Sequence, residues 1–277
     1  MIPEGRAFYK MTGSGNDFVF VDARTDPPGH LEDPSVIRAI CSRGTGVGAD
    51  GIVFLVESEA AAVHMRYFNS DGSLAEMCGN AALCTTRLAV ELGLASPDGF
   101  VIESDSGLLA ARYRDDLPEV DLESVRAVQS DFPVDLKSGE QRAGYAVAGV
   151  PHLVVRCEDV GAIDVVGRGR PLRHHRDLPK GANVNFVSRG APEDSWRIRT
   201  YERGVEGETL ACGTGAVAAA ILLTAWRDAT GDVPLVTKSG RTLRVRIAGQ
   251  EQGLRPSLSG EGRIVFVGRF GEITTRA

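Results

Sequence analysis

Lysine is nearly missing from this chain. Of 31 basic residues, only Lys10, Lys137, Lys180 and Lys238 are lysines, so 27 are arginines. The skew reflects genome composition more than function, but it bounds the chemistry. A pyridoxal-phosphate enzyme needs a Schiff-base lysine, and none of the four sits in a recognisable motif, so no cofactor is expected. Lys10 and Lys180 precede distinctive blocks, which allows them a minor part in attracting a charged substrate. Net positive charge is absent too: the balance is −6 with no dense basic stripe, which argues against a nucleic-acid groove. No apolar run approaches the ~18 residues of a membrane span. MIPEGRAFYKMTGSGNDF lacks an apolar core followed by a small-residue cleavage site, so no secretory signal is expected. CxxC spacing is lacking, and five cysteines are an odd number. Reduced thiols in a cytoplasmic setting follow, and no metal site is expected.

What is present is ordinary in bulk and unusual in pattern. Hydrophobic residues make up 43% and charged residues 25% of 277 positions, enough for two domains of about 130 residues each. YFNSDGSLAEMCG (67–79) and YERGVEGETLACG (201–213) align without a gap, from Cys78 to Cys212 at an offset of 134, close to half the chain. Each Cys-Gly opens a helical run, predicted over 79–93 and 213–227, with Gly93 and Gly231 as stop signals. A further helix is predicted over 34–43 after Asp33-Pro34. Elsewhere, short β-branched runs such as FVFVD, GIVFLV, HLVVRC and RIVFVG alternate with turn residues, so the chain is strand-rich. The expected class is α/β (α+β), with a curved sheet wrapped around one central helix, twice over. The polar stretch 128–144 is the expected crossover. The strand openings GSGNDFVFVD and KGANVNFVS offer a fainter second echo, at a different offset.

A helix N-terminus carries unsatisfied N–H groups and about half a positive charge. It pushes a cysteine toward thiolate and is ready-made for a carboxylate. In CGNAA and CGTGA the small first residues let a ligand reach the backbone. One such thiol would serve many enzymes. A symmetric pair suits inversion of a stereocentre, one thiolate removing a proton and the opposite thiol returning one. Cys41, Cys84 and Cys157 lack this context and read as buried structural residues. His30 and His64 have no partner spacing, and His174-His175 reads as a solvated loop. GTGVGADG (44–51) is not followed by GK[ST], so a phosphate cradle is disfavoured.

The blocks Lys10-MTGSGNDFVFVD, RGTGVGADGIVFL (43–55), YFNSDGSLAEMCGN (67–80), GVPHLVV (149–155), GANVNFV (181–187) and YERGVEGETLACGTGA (201–216) resemble, in order, those of the diaminopimelate epimerases. The resemblance implies cofactor-independent interconversion of LL- and meso-diaminopimelate, on the route to lysine and peptidoglycan, by a homodimeric enzyme acting on a small amino acid. It implies two pseudo-symmetric domains, 1–126 plus 261–277 and 127–260, with the active site in the cleft between them. Carried over by position, Cys78 and Cys212 are the catalytic pair, and His152 and Glu202 tune them. Gly79, Asn80, Gly213 and Thr214 hold the reacting carboxylate. Asn16, Asn69, Asn183, Glu202 and Arg203 bind the substrate's amino and carboxylate groups, Arg203 by its bidentate fork.

The chain departs from the family at Val150 (GVPH for the frequent GNPH), at Ala81 and at Leu83, and at Gly51 it has the amide-free form of a block that reads ADQ or ADG in many members. These leave the thiols untouched and bear on the far end of the substrate. The competing readings are a racemase of histidine or another amino acid with the same two-cysteine chemistry, a single-cysteine hydrolase or acyltransferase with His152 as base, and a non-catalytic binder of amino-acid-like ligands.

Overall fold

The computed structural model describes residues 5–75, 77–191, 195–248, 255–273 and 275. The chain forms two compact units, Met1–Val120 with Gly260–Ala277, and Asp121–Ser259. The first unit carries β1 (Ala7–Gly13), β2 (Asn16–Asp22), α1 (Pro34–Cys41), β3 (Gly51–Val56), β4 (Val63–Asn69), β5 (Leu74–Ala75), α2 (Gly79–Glu91), β6 (Phe100–Ser104), β7 (Gly107–Arg114) and β8 (Leu117–Asp121). The second carries β9 (Arg126–Gln129), β10 (Glu140–Ala148), β11 (Val150–Cys157), α3 (Val165–Arg173), β12 (Asn183–Arg189), β13 (Trp196–Glu202), β14 (Gly207–Thr209), α4 (Gly213–Ala225), β15 (Asp232–Val236), β16 (Thr242–Ala248) and β17 (Arg255–Ser259). Strand β18 (Arg263–Arg269) then returns to the first unit and pairs with β1.

The two units repeat one plan. In each, an antiparallel hairpin (β1–β2; β10–β11) leads through an outer helix to a parallel neighbour (β3; β12). An antiparallel strand follows (β4; β13), then a short return strand (β5; β14), and then the central helix. Beyond that helix a strand pairs in parallel with β4 or β13. The class is mixed α/β and mostly strand, as the sequence leads one to expect.

Helix α4 is short on polar residues for a physical reason. In α4, Gly213 and every residue from Gly215 to Leu223 are buried, and the helix packs against β10, β11, β12, β16 and β17. A helix enclosed by strands has no face for water, and its alanines let the strands approach. The outer helices are one-sided. Val36, Ile37 and Ile40 of α1 join Val19, Val21, Ile52, Phe54 and Phe68 in one core, while Leu172 of α3 joins Leu153, Val184 and Tyr201 in the other. Each such side chain contributes about 1.5–3 kcal/mol on burial.

Helix α3 was not legible in the sequence. VVGRGRPLR contains two glycines and Pro171, which ordinarily argue against a helix. Asp164 caps it by accepting from the Gly167 amide at 3.0 Å. Gly169 is demanded by packing, because a Cβ there would lie 2.5 Å from Cβ of Tyr201. His175, expected in a solvated loop, is half-buried and sets its ring edge-on to Phe132 at 5.3 Å.

Strand register corrects the ungapped repeat. Val19 faces Ile52 and Ile52 faces Phe68, just as Leu153 faces Val184 and Val184 faces Tyr201. The counterpart of Tyr201 is therefore Phe68, not Tyr67. Tyr201 packs on the outer side with α3, whereas Tyr67 points the other way and meets Phe18 edge-on at 5.9 Å. The shift arises in the turns. Asn69 and Ser73 close one, while Glu202 and Gly207 bracket one that is a residue longer. By the same register Phe18 matches His152, Gly51 matches Asn183, Val53 matches Asn185 and Asn69 matches Glu202. Strand β2 thus corresponds to β11 and not to β12, so the fainter asparagine echo is not a structural one.

Candidate active site

Cys78 and Cys212 are the N-cap residues of α2 and α4, with nearly the same backbone: φ −140°, ψ 117° and φ −139°, ψ 110°. Each carbonyl accepts the first helical bond, from Ala82 and Ala216 at 2.9 Å. The Cys212 sulfur accepts from the Gly215 amide at 3.3 Å and lies 3.6 Å from the Thr214 hydroxyl. A backbone donor aimed at sulfur favours the thiolate. All five cysteines are thiols. Burial pushes Cys41 and Cys157 up to about 12 and Cys84 well above its ordinary value. Those three stay protonated.

In the first unit a polar chain runs from the helix start. Asn80, buried, donates to the Asn16 side chain at 2.5 Å, and Asn16 donates to Asp50 at 3.0 Å. Asp50 is gripped by Arg43 at 2.6 Å, and Arg43 also grips Asp17 at 2.6 Å. Burial alone would raise the Asp17 carboxyl, but hydrogen bonds from Arg43 and Lys10 outweigh it and hold the pKa below the usual range. Lys10 is 7% exposed and committed to Asp17 and the Gly48 carbonyl; it is a structural ion-pair partner and not a free attractor of substrate. Asn69 turns its amide to Ser73 at 3.1 Å.

In the second unit His152 is fully buried on β11, opposite Asn183 of β12. Burial drives its pKa down to about 3, with Arg203 adding to the effect. The Asn183 side-chain oxygen accepts from the Arg203 backbone amide at 2.8 Å, and the Arg203 guanidinium donates to the Lys180 main-chain carbonyl at 3.2 Å. Glu202 and Arg203, both half-buried, lie at and just after the end of β13. Gly79 and Gly213 are buried, and Thr214 is half-buried. Among the described residues no group of three or more His, Cys, Asp or Glu could hold a metal, and no helix is long and apolar enough to cross a membrane.

The proposed site residues thus gather into two clusters, one per unit: Asn16, Asn80 and Cys78 around the start of α2, and His152, Asn183, Arg203, Thr214 and Cys212 around β11, β12 and the start of α4. Sequence reasoning missed Asp50, Arg43, Asn185 and Thr200. Asn185 was within reach, because it lies two residues after Asn183 and period-two alternation puts both on one face.

Of the four departures, the structure gives a reason for Gly51 and a place for Val150. Position 51 has no room: a Cβ there would lie 2.4 Å from the Phe68 carbonyl oxygen and 2.5 Å from the Tyr67 ring. Val150 opens β11 beyond a tight turn at Gly149, whose φ is +68°. By register Val150 corresponds to Asn16 and Gly51 to Asn183. Each unit therefore keeps an amide where the other has none.

The model of the family described as diaminopimelate epimerase matches residues 8–128 and 144–265. The diaminopimelate epimerase of Gemmatimonas aurantiaca is 48% identical over 275 residues, covering 95% of this chain and 99% of that protein. The chain belongs to the diaminopimelate epimerase family. It is thus a member of a family of cofactor-independent isomerases. Among solved structures, a phenazine biosynthesis protein of the PhzF family from Bacillus anthracis superposes with TM-score 0.74 at 15% identity, over 97% of this chain and 99% of that one. A hydroxyproline epimerase from Agrobacterium vitis with bound trans-4-hydroxy-L-proline gives TM-score 0.70 at 17% identity, over 99% and 95%. At such identities these two speak for the diaminopimelate epimerase fold alone, with its two pseudo-symmetric domains.

Proposed function

We propose that the chain interconverts LL- and meso-2,6-diaminopimelate, with Cys78 and Cys212 exchanging a proton at the α-carbon. One thiol comes from each half of the chain (1–126 with 261–277, and 127–260). The observation that carries the reading is the duplicated cap: two cysteines, with backbone angles within 7° of each other, open the two central helices. As thiolate, one takes the α-proton; as thiol, the other returns one to the opposite face. The reverse direction exchanges the roles.

Energetics assign tasks to the remaining residues. The α-proton of an amino acid is far less acidic than a thiol, and a helix dipole supplies only about 0.3–2 kcal/mol. Oriented N–H donors at a developing charge supply about 2.7–4 kcal/mol each. The N–H groups opening the helices at Gly79, Asn80, Gly213 and Thr214 hold the reacting carboxylate in this role. Asn16, Asn69, Asn183 and Glu202 bind the amino groups and polar ends, and the Arg203 fork takes the distal carboxylate. His152 and Glu202 tune the thiols.

The reduced protein, given LL-diaminopimelate in deuterated water, is expected to place label in the new stereoisomer at early times, with little in recovered substrate. Equal early labelling of both would refute the two-thiol scheme. Run against histidine, glutamate and proline, the same assay tests the substrate. A hydrolase using His152 as base is disfavoured, because burial makes that imidazole a weak base.

The assembly we propose is a homodimer, supported by Val265, Phe266 and Val267 on β18, all exposed at 46–59%. A reducing cytoplasmic setting suits a reaction that consumes neither thiol.

A further inference from the structure

In the second unit a polar cluster lies where the sheet meets the start of α4. His152 and Asn185 are fully buried and Thr200 is 3% exposed. The Asn185 amide nitrogen lies 3.2 Å from the Leu153 carbonyl oxygen and 3.2 Å from Nδ1 of His152, while Thr200 donates to its oxygen at 2.9 Å. That oxygen is backed by the α4 start, since a Cβ on Gly215 would come within 2.3 Å of it.

The orientation of the amide follows from chemistry. A carbonyl oxygen only accepts, so the atom facing Leu153 is nitrogen, and the oxygen turns to the Thr200 hydroxyl. The NH2 group has two hydrogens for two acceptors, and the second acceptor is Nδ1. A ring nitrogen that accepts carries no proton, so a neutral imidazole here carries its hydrogen on Nε2. Protonating Nδ1 would set N–H against N–H. Nε2 is buried and has no hydrogen-bond partner among the described residues. An isolated buried donor costs about 1–3 kcal/mol, which a ligand supplying an acceptor would recover.

We infer that Asn185 is a positioning residue that fixes His152 as the Nε2–H tautomer, making His152 a neutral hydrogen-bond donor to a substrate carboxylate and not a proton-transferring base. The assignment of the acceptor to the substrate rests on the epimerase reading; the tautomer does not. An ammonium group offers no lone pair and would be rejected at Nε2. Arg203, the charged group that acts on the ring, disfavours the imidazolium further and draws the same carboxylate.

The test is nitrogen NMR of the full chain labelled with 15N-histidine, with His152 assigned by the signal lost in His152→Gln. The expected result is a protonated Nε2 and a bare Nδ1, unchanged from pH 5 to pH 8. A protonated Nδ1, or shifts that titrate in that range, overturns the inference. Asn185→Asp replaces the donor by an acceptor and should move the proton to Nδ1, with kcat/KM falling at least ten-fold. Asn185→Leu, close to isosteric, removes the donor and should give mixed tautomers. Retention of pure Nε2–H in either folded variant shows that Asn185 does not set the tautomer. The two readings fail separately. Wild-type protein with the Nε2–H tautomer and no α-exchange on diaminopimelate sinks the epimerase proposal alone. Active protein with the other tautomer sinks this inference alone.

Discussion

Acid should weaken the second unit through one residue. The perturbation is a shift from pH 7.5 to pH 5, and His152 carries the effect. Its ordinary pKa of 6.5 is depressed to about 3 in the fold, by burial first and then by Arg203. A depressed pKa contributes stability that is fully present above the unfolded value and is lost as pH falls toward the folded one. At pH 5 the unfolded chain binds a proton that the fold refuses, over a gap of about 1.5 units. At about 1.4 kcal/mol per unit this costs about 2 kcal/mol. Both tryptophans, Trp196 and Trp226, lie within Asp121–Ser259, so their fluorescence in urea reports that unit. With a slope of about 2 kcal/mol per molar urea, the midpoint should drop by about 1 M more in wild type than in His152→Gln. Carboxylates and other histidines cancel in that double difference. If both proteins lose stability in parallel between pH 7.5 and pH 5, the buried neutral imidazole is wrong.

Alkylation of the native reduced protein with iodoacetamide at pH 7.5 should modify Cys78 and Cys212 ahead of Cys41, Cys84 and Cys157, whose thiols burial keeps protonated; peptide mass spectrometry decides, and early label on Cys84 would contradict it. Gly51→Gln adds a side chain that collides with Phe68 and Tyr67. It should cost about 1–3 kcal/mol, as overpacking does; an unchanged Tm would show that the strand yields freely. Phe266→Glu puts a charge on the exposed apolar strand and should convert a dimer of 29.5 kDa chains to monomers in sedimentation; a dimer that persists places the interface elsewhere.

The central helices were legible because their signals are local: a Cys-Gly start and an apolar run. Helix α2 ends at Glu91 with turn residues reaching the expected Gly93, whereas α4 ends at Ala225 and the left-handed residue after it is Arg227 (φ +63°), four positions before the expected Gly231. Helix α1 likewise follows from Asp33-Pro34 and its one-sided apolar face. Helix α3 exists for tertiary reasons: a glycine that fits beneath Tyr201 is invisible to propensity. At the candidate site, motif blocks located the caps and His152, but not the ion-paired Asp50 or the Asn185–Thr200 pair. Those depend on which strand lies beside which, and a linear motif does not carry that. The strand register also shows why the two tyrosines misled. Identical letters at matching positions fall on opposite faces once one turn gains a residue, because side chains alternate along a strand.

That extra residue between Glu202 and Gly207 has a practical reading for anyone recombining the halves. Grafting 201–213 onto 67–79 letter for letter would invert the strand and send Tyr201's equivalent into the helix, while Glu202 would swing outward. A graft cut at Phe68 and Tyr201, carrying the longer loop with it, preserves facing. The two units differ in loop length and agree in strand parity, so swaps between them should be planned on hydrogen-bond ladders and not on letters.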